Sequence, residues 1–170
     1  RRRQLAAELT SRQLRLENEE RRRAEARLKV ADERLNLAFD STQVGVYEWD
    51  VETDQVYCTP SIWKLIGYDP SEMPTTGSGW LNLLHGEDQP AVRAVIDAHF
   101  RGETPFIEIE HCVLHHSGEW LWIALRAKCT SFTANRQPRR VLGTIQNITA
   151  RKRADEALRL SQAESRKLSL

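Results

Sequence analysis

The stretch His111-Cys112-Val-Leu-His115-His116 carries the side chains with the clearest chemical potential in this chain. Imidazole and thiolate groups bind zinc, and close spacing of this kind is typical of metal sites. The same stretch is predicted to begin as a β-strand, on which His111 and Cys112 point to opposite faces. His115 and His116 then fall at the tip of a hairpin turn, where solvated polar residues are ordinary. The pattern therefore favours no metal, and a metal-dependent enzyme is kept only as an alternative.

Two further histidines also invite a catalytic interpretation. His85 lies in a predicted turn, where a structural role is simpler, and His99 lies near the end of a predicted helix. A partly exposed imidazolium there would complement the negative end of the helix dipole. The sequence shows no convergent set of carboxylate, base and nucleophile, so we predict that this chain is not itself an enzyme. Cys58, Cys112 and Cys129 are scattered and odd in number, as expected of reduced cytoplasmic thiols.

Charge and glycine content divide the 170 residues into three predicted parts. Residues 1–36 hold eleven basic and seven acidic residues, a net charge of +4, and residues 150–170 hold six and three, a net charge of +3. Residues 37–149 have a net charge of −6 and contain all eight glycines. We therefore predict a globular core between an N-terminal and a C-terminal charged helix. Basic and acidic residues interleave in both arms, which indicates solvated helices and no nucleic-acid partner.

The N-terminal arm has the spacing of a coiled coil. Leu14, Leu28 and Leu35 follow a seven-residue repeat, and small alanines recur at the complementary position. The upstream leucines follow another frame, which predicts a register change near Leu14 to Leu16. This pattern favours a homodimer formed through the N-terminal and C-terminal helices. The alternative is one amphipathic helix folded back on its own domain. No segment is apolar enough to predict a membrane span.

The core is predicted to be an α+β domain. Its predicted strands are Val44–Trp49, Val56–Cys58, Phe106–Leu114, Trp120–Cys129 and Val141–Ile148. Short helices are expected between the second and third strands, and the longest is capped by Asp88 and runs to Phe100. This order predicts an antiparallel sheet with helices over one face.

Alternation along the strands separates the two faces of this sheet. The helical face is predicted to carry the pocket-wall candidates Ile107, Ile109, His111, Val113, Ile123, Leu125 and Ile145. Trp120 and Trp122 fall on the opposite face, which is too apolar to lie in water. We expect the N-terminal helix with Leu28 and Leu35, or a second subunit, to cover it.

The last strand runs almost directly into the C-terminal helix. No Gly or Pro separates Ile148 from the helical sequence that follows, and the Thr149 hydroxyl could cap the first free N–H groups of that helix. Movement of the sheet could then pass into the helix. We therefore predict Asn147 and Thr149 to be signal-relay residues.

Four short motifs in this order resemble a PAS sensory domain. They are Trp63-Lys-Leu-Ile-Gly-Tyr-Asp-Pro-Ser-Glu-Met73, Trp80-Leu-Asn-Leu-Leu-His-Gly-Glu-Asp88, Ser117-Gly-Glu-Trp-Leu-Trp122 and Gly143–Ala150. The last three depart from the usual pattern at Gly86, Ser117, Leu121 and Asn147, where the family usually has Pro, Asp, Arg and Asp. The resemblance implies a five-stranded sheet of order 2-1-5-4-3 around a small cavity.

PAS domains bind haem, flavin or small metabolites, or bind nothing and only dimerise. Here Val113, Ile123 and Ile145 fall where the photoactive flavin subclass has polar flavin contacts, which argues against that cofactor. We predict no cofactor, with FAD and haem as alternatives. His111 would either bond to a polar group of the core or anchor a small-molecule ligand.

The resemblance implies a sensory and dimerisation module of a larger bacterial signalling protein. Such modules control a histidine kinase or diguanylate cyclase, and we expect this one to do so through strand 141–148. The alternative is a ligand-free spacer. We expect the module to be cytoplasmic, with or without a tether to the inner membrane through regions outside this sequence.

Overall fold

The computed structural model describes residues 2–168, which form two units that meet between Ala38 and Phe39. The first unit is helical and belongs to α1 (Arg2–Thr42), 41 residues with neither Gly nor Pro. Alanine, leucine and long charged residues favour this helix. No residue of α1 is buried, and Leu28 and Leu35 are 70% and 55% exposed. The leucines of this helix are therefore available for packing that the single chain does not supply.

The second unit contains a five-stranded sheet and the short helices expected from the sequence. Its strands are β1 (Val44–Asp50), β2 (Gln55–Cys58), β3 (Ile107–Leu114), β4 (Trp120–Phe132) and β5 (Pro138–Asn147). Its helices are α2 (Pro60–Ile66), α3 (Gly77–Leu81), α4 (Gln89–Phe100) and α5 (Thr149–Leu168), with a single 3₁₀ turn at Pro70–Glu72. All pairings are antiparallel and the order is β2-β1-β5-β4-β3. The predicted α+β class and strand order are confirmed.

Some element boundaries differ from the prediction. Gly67, with a φ of 75°, ends α2, because a residue without Cβ adopts the left-handed conformation without strain. Helix α3 begins at Gly77, since the Thr76 hydroxyl accepts a hydrogen bond from the N–H of Gly79 and caps the turn. Strands β4 and β5 extend further toward their connecting loop than predicted.

Two buried clusters lie on the helical face of the sheet. The filled cluster consists of Ile107, Ala127, Cys129 and Val141. The cavity cluster consists of Ile62, Ile66, Met73, Leu84, Val92, Val113, Ile123 and Ile145. Strands β3, β4 and β5 contribute to both clusters, so each strand passes from one to the other. Burial of these apolar side chains supplies most of the driving force for folding.

Residues 75–85, here called the strap, connect the two edges of the sheet. At one end the carbonyl of Thr75 accepts a hydrogen bond from the N–H of Val56 on β2, at 2.8 Å. At the other end the carbonyl of Leu83 accepts one from the N–H of Leu114 on β3, also at 2.8 Å. Helix α3 forms the middle of the strap. The strap therefore spans the helical face from edge to edge.

Candidate functional site

A cavity of about 370 Å³ lies between the sheet, the strap and α4. Its volume is in the range of small-molecule binding sites. Most of its wall is aliphatic or aromatic, with contributions from α2, α3, α4 and all five strands. Burial raises the pKa of the Cys58 thiol in this wall to about 12, so that thiol is protonated at neutral pH. The wall therefore offers an apolar, chemically unreactive surface.

Five of the seven pocket-wall candidates line this cavity, namely His111, Val113, Ile123, Leu125 and Ile145. The other two do not. Ile107 belongs to the filled cluster, where α4 packs closely over the sheet, and Ile109 packs against the cavity cluster without lining the cavity. Strand alternation identifies a face of the sheet but not where along that face space remains, so it could not separate these two residues from the other five.

His111 is the most unusual residue of the wall. It is 3% exposed, and its Nδ1 atom is enclosed without a hydrogen-bond partner. Burial lowers the pKa of His111, and the nearby negative charge of Asp88 opposes this only in part. The imidazole is therefore neutral at neutral pH, with one donor and one acceptor nitrogen. A buried polar group without a partner is uncommon and costs folding free energy.

Asp88 does not cap α4 with its side chain, although the sequence suggested that it would. Its carboxylate instead accepts a hydrogen bond from the N–H of Cys112 at 2.7 Å. This bond ties the start of α4 to β3 next to His111. The sequence could not reveal it because the two residues are 24 positions apart.

Trp80 contributes a second unpartnered polar atom. Its ring lines the cavity from α3, and its indole nitrogen is enclosed without a hydrogen-bond acceptor. An indole N–H can only donate. Trp80 and His111 thus each contribute an unpartnered nitrogen to the same wall, one from the strap and one from the sheet.

Asp54 is a cavity residue that sequence reasoning missed. Its carboxylate accepts hydrogen bonds from the indole N–H of Trp49, from the N–H groups of Gly77 and Ser78, and from the Ser78 hydroxyl, at 2.8–3.2 Å. Partial burial acts to raise the pKa of Asp54, but these bonds outweigh it and the pKa is lowered. The carboxylate is saturated, so it fastens the β1–β2 turn to the strap. An Asp in a tight turn was the only signal for it in the sequence.

His99 has a role different from the exposed helix-end cation expected from the sequence. It is 9% exposed, its Nδ1 lies 2.8 Å from the carbonyl of Thr104, and its Nε2 accepts a hydrogen bond from the N–H of Cys129 at 3.0 Å. Strand β3 begins at Ile107, opposite Ala127, so no strand reaches the N–H of Cys129. The imidazole supplies the missing acceptor, which requires the Nδ1–H tautomer.

The remaining histidines serve turns. The N–H of Glu87 is 3.4 Å from Nδ1 of His85, and the His85 ring meets Trp120 edge-on at 4.8 Å between centroids. His115 accepts a hydrogen bond from the N–H of Ser117, and His116 lies 3.6 Å from a carboxylate oxygen of Glu72. Within residues 2–168, no three His, Cys, Asp or Glu side chains come together as a metal site.

The joint between β5 and α5 is bonded to β4 at two points. The Thr149 hydroxyl accepts a hydrogen bond from the N–H of Trp122 at 3.0 Å, and the N–H of Ile148 donates to the carbonyl of Trp122 at 2.8 Å. The hydroxyl therefore does not cap the helix as predicted. Asn147 caps the helix in part, since its side-chain oxygen accepts a hydrogen bond from the N–H of Thr149 at 3.0 Å.

Strand register connects this joint to the cavity. His111 pairs with Ile123 across β3 and β4, and Ile123 pairs with Asn147 across β4 and β5. The buried imidazole and the joint thus lie in one row of the sheet. On the opposite face, the carboxylate of Glu110 binds both Arg151 and Lys152 in the first turn of α5. Lys152, and then Arg151, lower the pKa of Glu110.

The outer face of the sheet remains apolar and exposed around two indoles. Trp120 is 43% and Trp122 36% exposed, and the Lys152 ammonium lies 4.7 Å from the centroid of the Trp122 ring. A second, more open cavity of about 360 Å³ lies between these indoles and the first turns of α5. This surface is next to the joint rather than next to the first cavity.

A five-stranded antiparallel sheet in this order, with helices and a cavity on one face, defines a class of α+β domain, and sequence comparison identifies the same class. The family model described as PAS fold matches residues 55–145, more than half of the chain. The chain belongs to the PAS family. A search of curated proteins found no match. In the described residues, no helix is long and apolar enough to cross a membrane.

Solved structures agree with this assignment. A sensory box histidine kinase/response regulator from Burkholderia thailandensis E264 is 30% identical, with a TM-score of 0.66, over 79% of this chain and 98% of that one. The N-terminal domain of a diguanylate cyclase with PAS/PAC sensor from Marinobacter aquaeolei is 19% identical, with a TM-score of 0.56, over 64% and 98%. A domain of a light and redox sensing histidine kinase from Haloarcula marismortui is 17% identical, with a TM-score of 0.55, over 69% and 99%.

Proposed function

We propose that this chain is the input module of a signalling protein, in which occupancy of the cavity alters the start of α5. The supporting observation is the row formed by His111, Ile123 and Asn147, which connects the cavity wall to the joint across three strands. A change at the wall would shift this row. It would then reach α5 through the two bonds between the joint and Trp122.

In this proposal the chain has three functional parts. Residues 1–36 are an input and pairing helix, residues 37–149 are the sensing core, and residues 150–170 carry the signal to an output domain. Two of the similar proteins are histidine kinases and one is a diguanylate cyclase, so we propose an output of one of these two kinds. The exposed leucines of α1 support pairing of two copies through their helices.

The ion pairs of Glu110 support a rigid connection between the sheet and α5. Two basic residues of the first helical turn bind one carboxylate on β3, the strand that also carries His111. Surface ion pairs of this kind contribute little stability, about 0–1 kcal/mol each. Their proposed role is to fix the direction in which α5 leaves the sheet.

Replacing the hydroxyl of Thr149 tests the joint. Thr149→Val in the intact parent protein keeps the side-chain shape but leaves the N–H of Trp122 unpaired. We expect the parent's kinase or cyclase activity to lose most of its dependence on input. The matched control is Thr133→Val, since the Thr133 hydroxyl also accepts a backbone N–H, that of Gln137 at 3.1 Å, in a loop far from the joint. Equal behaviour of the two variants would contradict the relay.

Inserting one residue after Ala150 tests whether the signal depends on the rotational phase of the helix. One residue turns everything downstream by about 100° around the helix axis. We expect constitutive or absent output, and we expect insertion of seven residues to restore regulation in part, because seven residues complete two turns of a coiled coil. Regulated output from the single-residue insertion would rule out a rotation-sensitive helix.

A ligand-free spacer that only pairs neighbouring domains is the alternative function, and the exposed leucines of α1 support it equally well. Filling the cavity separates the two functions. Ile145→Phe places a larger side chain in the cavity wall, and a sensor would lose its response to input while a spacer would not. Pairing of the chains, measured by light scattering, should be unchanged in either case.

A further inference from the structure

The polar groups of the cavity wall restrict the chemistry of its occupant. The imidazole of His111 makes no hydrogen bond within the described residues, although the residue is only 3% exposed. Trp80, in the same wall, has an enclosed indole N–H without an acceptor. A buried polar group without a partner is costly, and two in one cavity wall indicate that a partner is supplied from outside the chain.

The charged residues of the wall argue against a charged occupant. Among the described residues that line the cavity, Asp54, Arg93 and Asp97 carry charge. The Asp54 carboxylate is saturated by four hydrogen bonds, and Arg93 and Asp97 are exposed residues of α4. A charge placed beside His111 would therefore be buried without a counter-charge, which is strongly unfavourable.

Water alone is a poor occupant of a cavity with such a wall. A buried water molecule needs two to four polar partners. Besides the Trp80 and His111 rings, the buried part of the wall has few polar groups, chiefly the Tyr47 hydroxyl and the Cys58 thiol. The rest consists of apolar side chains such as Ile62, Leu84 and Ile145, which offer water no partner. An occupant with an apolar body covers that surface and needs a polar group only where the two rings lie.

We propose that the cavity binds an uncharged, mostly apolar small molecule whose hydroxyl or carbonyl oxygen forms hydrogen bonds with His111 and Trp80. This inference rests on the proposed sensory function and specifies its ligand. The oxygen accepts from the indole N–H, which can only donate. A neutral imidazole pairs with either group, because it donates to a carbonyl through one tautomer and accepts from a hydroxyl through the other.

Three probes of one shape test the polarity of the site. They are 2-naphthol, 2-methylnaphthalene and 2-naphthoate, which present a hydroxyl, a methyl and a carboxylate on the same ring system. Calorimetric titration of the complete 170-residue chain at pH 7.5 gives their affinities. We expect 2-naphthol to bind about tenfold more tightly than 2-methylnaphthalene, as two hydrogen bonds of ordinary net strength would provide. We expect 2-naphthoate to bind least.

Two substitutions test the residues. His111→Phe and Trp80→Phe each keep an aromatic ring and remove the polar atoms, so each should reduce the preference for 2-naphthol at least threefold while 2-methylnaphthalene still binds. The imidazole ¹⁵N resonances of His111 in the unsubstituted chain should also shift with 2-naphthol and not with 2-methylnaphthalene. This measurement decides the matter even if a variant fails to fold.

The outcomes separate this inference from the sensory function itself. Equal binding of 2-naphthol and 2-methylnaphthalene, or tighter binding of 2-naphthoate, would overturn the proposed ligand class and leave a ligand-binding cavity. Binding that survives Ile145→Phe would show that the probes bind elsewhere and would overturn the inference. If none of the three probes binds, the proposed ligand class is overturned, while the sensory role is decided separately by Thr149→Val and Ile145→Phe in the parent protein.

Discussion

The filled cluster and the cavity cluster each have a buried histidine nearby, and the two imidazoles differ in their hydrogen bonds. His99 uses both nitrogens to hold the chain, one at the carbonyl of Thr104 and one at the N–H of Cys129. The imidazole of His111 has no hydrogen bond in the described part of the chain. Both residues are at least nine-tenths buried, so burial alone does not separate a structural from a functional histidine. The presence or absence of hydrogen-bond partners for the imidazole is what distinguishes them.

The same contrast applies to the apolar residues. In the filled cluster, Ile107 and Val141 are 2% and 0% exposed and do not line the cavity. In the cavity cluster, Ile123 is equally buried but lines the cavity. One part of the helical face is thus packed for stability, while the other retains room that a tightly packed core would not have.

The largest effect is expected from truncating matched isoleucines in the two clusters. Ile107→Ala should lower the free energy of unfolding by about 4 kcal/mol, because a new void forms in close-packed surroundings. Ile145→Ala should cost about 2 kcal/mol, since space already adjoins that side chain and fewer contacts are lost. Urea denaturation of both variants measures the difference. Equal costs would mean that the cavity is not a true packing defect.

Removing the imidazole of His99 should have the second-largest effect on the free energy of unfolding. His99→Leu leaves the Thr104 carbonyl and the Cys129 N–H without partners, and we expect a loss of about 2–3 kcal/mol. Amide hydrogen exchange at Cys129 should accelerate more than exchange at Ile123. Unchanged protection at Cys129 would show that the imidazole is not its essential acceptor.

Removing the unpartnered imidazole should have the smallest effect on stability. His111→Phe should change the free energy of unfolding at pH 7.5 by less than about 1 kcal/mol, because no hydrogen bond is broken. Its effect on pH dependence should be clear. The folded-state pKa of His111 is lowered, so the unfolded chain binds more protons and stability falls as pH drops below about 6.5. His111→Phe should flatten this part of the profile, and an unchanged slope would contradict a neutral, buried His111.

Much of the fold could be predicted because it depends on local patterns. Strand alternation placed His111, Val113 and Ile123 on one face, and that face does point to the helices. Four motifs in the right order were sufficient to identify the family. Both inferences use residues close together in sequence, where periodicity and turn chemistry act directly.

The parts that could not be predicted depend on contacts between distant residues. The Asp88 carboxylate bonds to Cys112, and the Thr149 hydroxyl bonds to Trp122 rather than to its own helix. In each case the sequence pointed to a residue type that often caps helices, but a distant backbone N–H binds its oxygen instead. The extent of the cavity was equally hidden, because packing along a face is a property of the assembled domain.

The strap has a further consequence, for solubility. Edge strands expose unpaired backbone groups that can recruit strands from other molecules. The strap satisfies part of both edges at once, at Val56 on β2 and at Leu114 on β3. The eleven residues of the strap thus shield two distant edges from self-association. A substitution that loosens the strap would first appear as concentration-dependent aggregation of a chain whose sheet is still folded.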